Sequence, residues 1–298
     1  MQFKTNRHQL VMLSVIGEIA DPPINASNPY RISADGEVIF FPGTGGITYN
    51  FAIGDSAVDI WGDHIEPGVT IRNADKDRLS VANGGLNMLS CIGNRAYVLN
   101  GNAKGEVGRV TGTHGGIEHV IIDYTLAQKE LMAIGDKIQI RSYGQGLQLL
   151  DYPQVRVMNC DPDLLELLDI TNPKTGGLAI GVTHIIPAAL MGSGLGHNHT
   201  YSGDYDIQMF DPETVEQYNL NSLRFGDIIA ITDADHTFGR IYRQKSVSIG
   251  VIVHSKSCVA GHGPGAVTLL TSTKGAIEPV IDQTANLKKY FELMDKQK

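Results

Sequence analysis

The sequence predicts a mainly β protein, and two observations lead to this prediction. Glycine accounts for 34 of the 298 residues, about 11 % of the chain against a usual share of roughly 7 %, which favours many tight turns. Short apolar or alternating runs recur between these glycines, whereas only three stretches carry helix signals. With 42 % hydrophobic and 19 % charged residues, we expect a soluble globular protein of one large or two ordinary domains.

The predicted strands begin near the N-terminus. Residues 10–16 form an apolar run that is too short to cross a membrane and predicts a buried strand. Residues 57–61 alternate as a strand does, and residues 83–87 predict a glycine turn. From residue 95 to residue 146, short strands with glycine corners recur at a spacing that predicts a small barrel or sandwich.

Three helices are predicted in the second half of the chain. Asp161 and Asp211 each precede a proline and then helix-forming residues, which is typical of a helix N-terminus. Residues 284–298 place apolar side chains at helical spacing and predict an amphipathic closing helix. A shift in composition predicts a β-rich barrel-like domain over residues 1–150 and a β-rich sandwich domain over residues 151–298. The alternative is that segments of the two domains interleave along the chain.

Charge and cysteine content limit the partners and the location. The net charge of -8 argues against nucleic acid, whose binding depends on basic side chains that neutralise phosphates. Cys91, Cys160 and Cys258 are far apart and odd in number, so a reducing cytoplasm is expected rather than a disulfide framework. We expect a small-molecule ligand or substrate, no membrane partner and, as the default for soluble proteins, a homo-oligomer.

The residues between 192 and 206 concentrate potential metal ligands, namely His197, His199, Asp204 and Asp206. Side chains two residues apart in an extended chain point the same way, so each pair is expected to converge. Two imidazoles and one or two carboxylates suit Zn²⁺, Mn²⁺ or Fe²⁺, and such an ion lowers the pKa of a bound water. The alternative is that these are loop residues whose side chains cap turns.

Candidate catalytic residues follow later in the chain. Asp235 and His236 belong to the segment 233–236, which comes directly after the apolar run 227–232, and they are expected to act as a ligand or a general base. His262 is framed by glycines and a proline, so a tight loop would present it to a cleft. The alternative for His262 is a position where the backbone simply turns sharply.

A second candidate site is a glycine-rich loop with backbone N–H groups that would hold an anion or small ligand. Its residues are Gly43, Thr44, Gly45 and Gly46. No lysine or helix signal follows them, so a turn between two strands is the competing interpretation.

Two further pairs of polar residues are interpreted as structural. His64 and Glu66 lie in a predicted turn, where a solvated position is favoured over a place in a polar site. His114 and His119 flank a glycine pair and are interpreted as a turn histidine and a strand histidine without partners, with metal ligation as the alternative.

Four motifs together span most of the chain. They are Phe41-Pro-Gly-Thr-Gly-Gly-Ile-Thr-Tyr-Asn50, Glu66-Pro-Gly-Val-Thr70, Asn83-Gly-Gly-Leu-Asn87 and Gly261-His-Gly-Pro-Gly265. Through them the chain resembles an uncharacterised family of bacterial and archaeal proteins of unknown function, known mainly from structural genomics. This resemblance implies a mainly β fold with a barrel-like part plus a layered β-sandwich and few short helices, and it implies no activity.

A shorter stretch resembles the acetamidase/formamidase family of metal-dependent amidases. Residues 202–206 are similar to one conserved element of that family and residues 232–236 to the start of another. The resemblance implies that Asp206, Asp235 and His236 lie on the metal side of an active site. The acidic second half of the later element is replaced here by residues 237–242.

The sequence therefore leads to two hypotheses from different functional classes. The first is a metal-dependent hydrolase that acts on a small amide or a related C–N bond. The alternative is a non-catalytic small-ligand-binding or assembly protein on a related β scaffold.

Overall fold

The computed structural model of the chain describes residues 3–23, 30–75, 77–172 and 176–296. Its helices are α1 Val81–Leu89, α2 Leu126–Lys129, α3 Pro162–Leu167, α4 Pro212–Gln217 and α5 Leu287–Lys296. Its strands are β1 Leu13–Ile19, β2 Arg31–Ile32, β3 Val38–Ile39, β4 Ile47–Thr48, β5 Gly68–Arg72, β6 Arg95–Val98, β7 Val107–His114, β8 His119–Asp123, β9 Lys137–Ser142, β10 Arg156–Val157, β11 Ile170–Thr171, β12 Leu178–Val182, β13 His184–Pro187, β14 Tyr205–Asp206, β15 Ile228–Asp235, β16 Ile241–His254, β17 Gly265–Ser272 and β18 Ile277–Ile281.

Six strands form a closed barrel in the order β1-β9-β6-β7-β8-β5, because β5 pairs back with β1. Strand β4 adds to β5 outside the ring. Along β9, exposed Lys137 and Arg141 alternate with the buried Ile138 and Ile140, which pack into the barrel core. Closure pairs the edges that an open sheet would expose. The predictions of a mainly β fold and of a barrel-like part are confirmed.

A second sheet has the order β10-β17-β16-β15-β13, with β14 paired to β17. A three-stranded sheet, β11-β12-β18, packs beside it, and Leu178 of β12 shares an apolar core with Ile228 of β15 and Ile249 of β16. Helix α5 covers part of this core with Tyr290 and Phe291. The layered arrangement follows from strands that are apolar on both faces and must be covered on both sides.

The barrel and the second sheet touch through β7, which lies against β16 and β17. Gly112 makes this approach possible, because a Cβ atom at that position would overlap the side chain of Val253. The pairing of β7 with β8 also shifts register between Val110 and Gly112. The C-terminal ends of β7 and β16 are thereby brought together.

Residues 83–87 form part of α1, so the predicted glycine turn is wrong. Ser80 caps the helix by accepting a hydrogen bond from the Asn83 backbone N–H. The side-chain amides of Asn83 and Asn87 both donate to the Glu118 carbonyl oxygen. Such anchoring offsets the cost of helical glycine, about 1 kcal/mol for each residue relative to alanine.

Two strand predictions also need correction. Residues 57–61 form bends rather than a strand, and Ala57 bonds through its backbone to Leu223 and Lys256 instead of to a sheet neighbour. The run 10–16 contributes to β1, but Leu13 and Ile16 are about half exposed. Ile16 faces away from the barrel core, whereas Leu13 lies at the exposed N-terminal end of the strand. Apolar content alone does not distinguish a strand from bends, or a buried strand residue from an exposed one.

The helix predictions are confirmed within the described residues. Asp161 accepts a hydrogen bond from the Asp163 N–H at the start of α3, and Asp211 accepts one from the Thr214 N–H at the start of α4. The predicted closing helix is α5, and residues 297–298 lie outside the described part. None of the helices described here is long and apolar enough to cross a membrane. The three cysteines are free thiols.

Candidate metal centre

Four histidines from separate segments meet where the barrel contacts the second sheet. His64 precedes β5, His114 ends β7, His254 ends β16 and His262 precedes β17. The His114 and His254 rings stack with their centroids 4.1 Å apart, and the His64 ring lies 5.1 Å from His254 and 5.0 Å from His262. His64, His114 and His254 are buried, whereas the His262 side chain is 35 % exposed.

Two buried aspartates enter this cluster, Asp206 from β14 and Asp204 from the position directly before that strand. Asp206 Oδ2 lies 2.8 Å from His262 Nδ1 and 3.7 Å from His64 Nε2, and Asp206 Oδ1 lies 3.4 Å from His254 Nε2. Asp204 Oδ2 lies 2.6 Å from His254 Nε2. Asp204 and Asp206 point the same way because they are two residues apart in extended chain.

These side chains divide into two sets of three potential ligands. The first ligand group is His64, Asp206 and His262, and the second ligand group is His114, Asp204 and His254. Within each group the ligand atoms all lie within 4.8 Å of one another. The groups are adjacent, because Asp206 contacts His254 of the second group with its other oxygen.

In three of the histidines, the outer ring nitrogen, which faces away from Asp204 and Asp206, lies within hydrogen-bond distance of an oxygen atom. His64 Nδ1 lies 3.0 Å from Asp63 Oδ1, and His114 Nδ1 lies 2.6 Å from Glu66 Oε1. His254 Nδ1 lies 2.9 Å from the Ser255 carbonyl oxygen. Such bonds fix the tautomer and orientation of metal-ligating imidazoles and leave the inner nitrogen for the ion.

Further contacts fix the two supporting carboxylates. Asp63 accepts a hydrogen bond from the Ser257 hydroxyl at 2.6 Å and pairs with Arg31 at 3.2 Å. Glu66 also lies 3.1 Å from His119 Nδ1. Glu66 therefore orients His114 and His119 together.

The buried carboxylates of this cluster are held in their ionised form. Burial by itself favours the neutral acid, but hydrogen bonds and charge from the histidines lower the pKa of Glu66, Asp204 and Asp206 below the usual range. The same balance lowers the pKa of Asp63 to about 2, with His64 as its main partner. Buried anions require a cation, which a protonated imidazole or a metal ion supplies.

The pKa values of the buried imidazoles shift in opposite directions. Burial opposes their charge, yet hydrogen bonds to Asp206 and Asp63 raise the pKa of His64, and the charge of Asp204 raises the pKa of His254. Burial and the nearby His254 lower the pKa of His114 despite its bond to Glu66. Among these buried rings, His114 is thus the one whose surroundings favour the neutral imidazole.

Gly265 gives the second ligand group its space. A Cβ atom at this position would overlap both Asp204 Oδ2 and His254 Nε2. The pairing of β14 with β17 places Asp206 directly opposite Gly265. Gly265, the last glycine of the 261–265 motif, is thus explained by its close approach to the cluster.

The two ligand groups border a cavity of about 300 Å³. Its other walls contain Arg240 and many small residues. The residues that line it are His64, His114, Gly115, Gly116, Glu118, Ser193, Gly194, His197, Ser202, Gly203, Asp204, Asp206, Arg240 and His262. This volume is at the lower end of the range for small-molecule sites.

The structure brings together some of the predicted metal-ligating and catalytic residues and separates others. Asp204, Asp206 and His262 belong to the cluster. His197 borders the cavity outside the ligand groups, with Nδ1 2.9 Å from the His199 carbonyl oxygen, and its ring is nearly perpendicular to that of His199. The two rings do not point the same way because this segment forms turns, not an extended strand.

Asp235 and His236 belong to neither ligand group and do not line the cavity. Asp235 pairs with Arg243 at 2.8 Å and accepts a hydrogen bond from the Thr237 N–H. His236 Nδ1 lies 2.8 Å from the Thr268 hydroxyl, and its Nε2 is buried without a partner. The structure therefore does not bring these two residues together with the clustered histidines and aspartates.

The glycine-rich loop also lies outside the cavity lining. Gly46 accepts a hydrogen bond from the Thr70 N–H through its carbonyl, and Gly45 lies against the His119 ring. This loop, residues 43–46, therefore packs beside His119, one of the two histidines that Glu66 orients.

Several site residues were misjudged or missed in the sequence. His64 and Glu66 are 7 % and 1 % exposed, so the solvated turn is wrong, and His114 and His119 do have a partner, namely Glu66. His254 was not singled out. Its signal in the sequence was its position directly after the apolar run 249–253, because a strand over that run would place His254 at the end of a sheet.

Two family models match most of the chain. The N-terminal model of a domain of unknown function, DUF4438, matches residues 30–166, and the C-terminal model of the same domain matches residues 167–291. A crystal structure of a protein designated TM1086 shares 44 % sequence identity and a TM-score of 0.90, covering 97 % of this chain and 99 % of that one. No curated protein matches the chain. The resemblance to an uncharacterised family is confirmed, whereas these matches do not show the resemblance to the acetamidase/formamidase family.

Proposed function

The chain belongs to the DUF4438 family, and we propose that it is a metal-dependent hydrolase that binds divalent ions at its two ligand groups. One observation carries this proposal. Three buried histidines, His64, His114 and His254, turn their inner nitrogens toward Asp204 and Asp206 while their outer nitrogens are held by oxygen atoms. Imidazoles oriented in this way toward shared carboxylates are arranged as the ligands of an ion are.

The donor set favours Zn²⁺, Mn²⁺ or Fe²⁺, which accept imidazole nitrogen and carboxylate oxygen together. Two ions about 4 Å apart are typical of hydrolases whose ligand groups share a carboxylate. Asp206 is placed for that shared role, since its two oxygens contact different groups. When bound, such ions polarise a carbonyl and lower the pKa of water.

We assign the substrate to small amides or related C–N compounds. Hydrolysis adds water across the C–N bond, so that the carbonyl carbon gains oxygen and the nitrogen leaves with a proton. The cavity of about 300 Å³ admits a small molecule. His262 is the most exposed of the four clustered histidines and lies where the cavity meets the first ligand group. This proposal gives no step to Asp235 or His236.

Metal analysis of the intact protein tests the proposal. Protein purified without a histidine tag and without chelator is expected to hold about two divalent ions per chain. His262→Gln and His114→Gln each remove one ligand group and are expected to reduce this to about one. His197→Gln is the matched control, because His197 borders the cavity outside both groups.

Activity provides the second half of the test. Amine or ammonia release from a panel of small amides should require the metal, stop with chelator and return with Zn²⁺ or Mn²⁺. Folded wild type that contains no metal and takes up neither ion would overturn the proposal. Bound metal without cleavage of any amide would favour the non-catalytic ligand-binding alternative.

A further inference from the structure

Arg240 is a buried cation that has no carboxylate partner among the described residues. It is 2 % exposed, and no acidic side chain of that part of the chain lies within ion-pair distance of it. Its guanidinium donates to three carbonyl oxygens, at 2.9 Å to Gly203, 3.3 Å to Ser202 and 3.4 Å to Gly194. Its Nε–H is buried without an acceptor. A buried charge that meets only carbonyl dipoles is costly unless a counterion completes it.

The nearest carboxylates do not pair with Arg240. Asp204, Asp206 and Glu118 attract Arg240 over a longer distance, while burial lowers the pKa of its guanidinium. Asp204 and Asp206 are bound by histidines of the two ligand groups. Glu118 accepts a hydrogen bond from the Gly116 N–H, and none of the three carboxylates forms an ion pair with Arg240.

The position of Arg240 is fixed by its surroundings. Its backbone N–H donates to the His197 carbonyl, and its own carbonyl accepts from the Gly196 N–H. The guanidinium carbon lies 5.7 Å from the centre of the Tyr205 ring. Gly194 admits the side chain closely, since a Cβ atom there would be 3.3 Å from Arg240 Nη1. A guanidinium held in this way is preorganised to bind a ligand.

Arg240 also borders the cavity that the two ligand groups line. The cavity wall includes small residues, among them Gly115, Gly116, Gly194 and Gly203, which leave room for a ligand beside the histidines and carboxylates. A planar guanidinium matches the two oxygens of a carboxylate or phosphate.

We infer that Arg240 binds an anionic oxygen group of the substrate, a carboxylate or a phosphate, while the C–N bond lies at the ligand groups. This inference rests on the proposed function and narrows its substrate to amides that carry such a group. Arg240 is then the residue that separates charged from neutral amides.

The test measures binding to the metal-loaded protein by calorimetric titration, not turnover. The probes are N-acetylglycine, its phosphonate analogue N-acetylaminomethylphosphonate, and the neutral N-acetylglycinamide. Wild type is expected to bind one of the anions about 10- to 100-fold more tightly than the neutral amide, as charged hydrogen bonds predict. The preferred anion identifies the group as carboxylate or phosphate.

Arg240→Gln should remove this preference while leaving metal content and binding of the neutral amide unchanged. Arg240→Lys, which keeps the charge and loses the two-pronged geometry, should restore part of it. The comparison of probes in wild type stands even where a variant does not fold.

The outcomes separate this inference from the proposed function. Metal-loaded wild type that binds the neutral amide as well as both anions would overturn the inference and leave the metal centre intact. Preference for an anion that survives in Arg240→Gln would overturn it as well. Metal-free wild type that prefers the anion through Arg240 would support the anion site and contradict the hydrolase.

Discussion

At the scale of single residues, Gly265 shows how closely the second ligand group is packed. A side chain at this position has no space beside Asp204 and His254. We expect Gly265→Ala to lower the free energy of unfolding by about 1–3 kcal/mol, the usual cost of overpacking. Metal should be lost from the second ligand group, with about one ion left in the first.

Gly84→Ala is the matched control for this substitution, because a Cβ atom at Gly84 meets nothing within 4 Å. Chemical denaturation and metal analysis of both variants make the comparison. Unchanged stability and metal content in Gly265→Ala would contradict the packing described for the cluster.

His236 is expected to make the free energy of unfolding depend on pH. It is fully buried, and burial lowers its pKa from 6.5 to about 3. Below pH 6.5 the unfolded chain takes up a proton that the folded ring does not, so stability is complete above that pH and is lost as the pH falls toward 3. At pH 5 this loss amounts to about 2 kcal/mol relative to pH 7.

Denaturation of His236→Gln at pH 7 and pH 5 measures that contribution. The difference between the two pH values should be smaller in this variant than in wild type, whereas His8→Gln at the exposed N-terminal end should keep the wild-type difference. Equal differences in all three proteins would show that folding does not lower the pKa of His236.

At the scale of elements, α1 is a helix that carries two glycines in its interior. Gly84 and Gly85 have open space where a side chain would project. Alanine at either position should raise the free energy of unfolding by about 0.5–1 kcal/mol, because it restricts the unfolded chain without a clash. Thermal and urea denaturation would reveal the gain, and a loss of stability would indicate that these residues do not form a helix.

Elements also explain what the sequence allowed us to predict. The caps at Asp161 and Asp211 are local signals, so the helices that follow them were found. The glycine turn at residues 83–87 failed because the contacts that hold α1, the bonds to Glu118, come from a distant part of the chain. Local propensity predicts an element only where no tertiary contact overrides it.

At the scale of the whole molecule, the candidate centre exists because a closed barrel meets a second sheet. Asp204 and Asp206 could be predicted from their spacing in extended chain. Their partners His64, His114 and His254 could not, since they come from segments 50 to 142 residues away along the sequence. Only the approach of β7 to β16 at Gly112 brings these ends together. His197 and His199 fitted the local pattern, but turns direct them elsewhere.

The most direct test of the central claim is anomalous diffraction from crystals of the protein loaded with Zn²⁺. We predict two peaks, one in each ligand group, at about 2.0–2.2 Å from imidazole nitrogens and carboxylate oxygens, with Asp206 between them. Crystals of His262→Gln should lose the first peak and keep the second. Absence of both peaks from the loaded wild type, or peaks at His197 and His199 instead, would contradict the account.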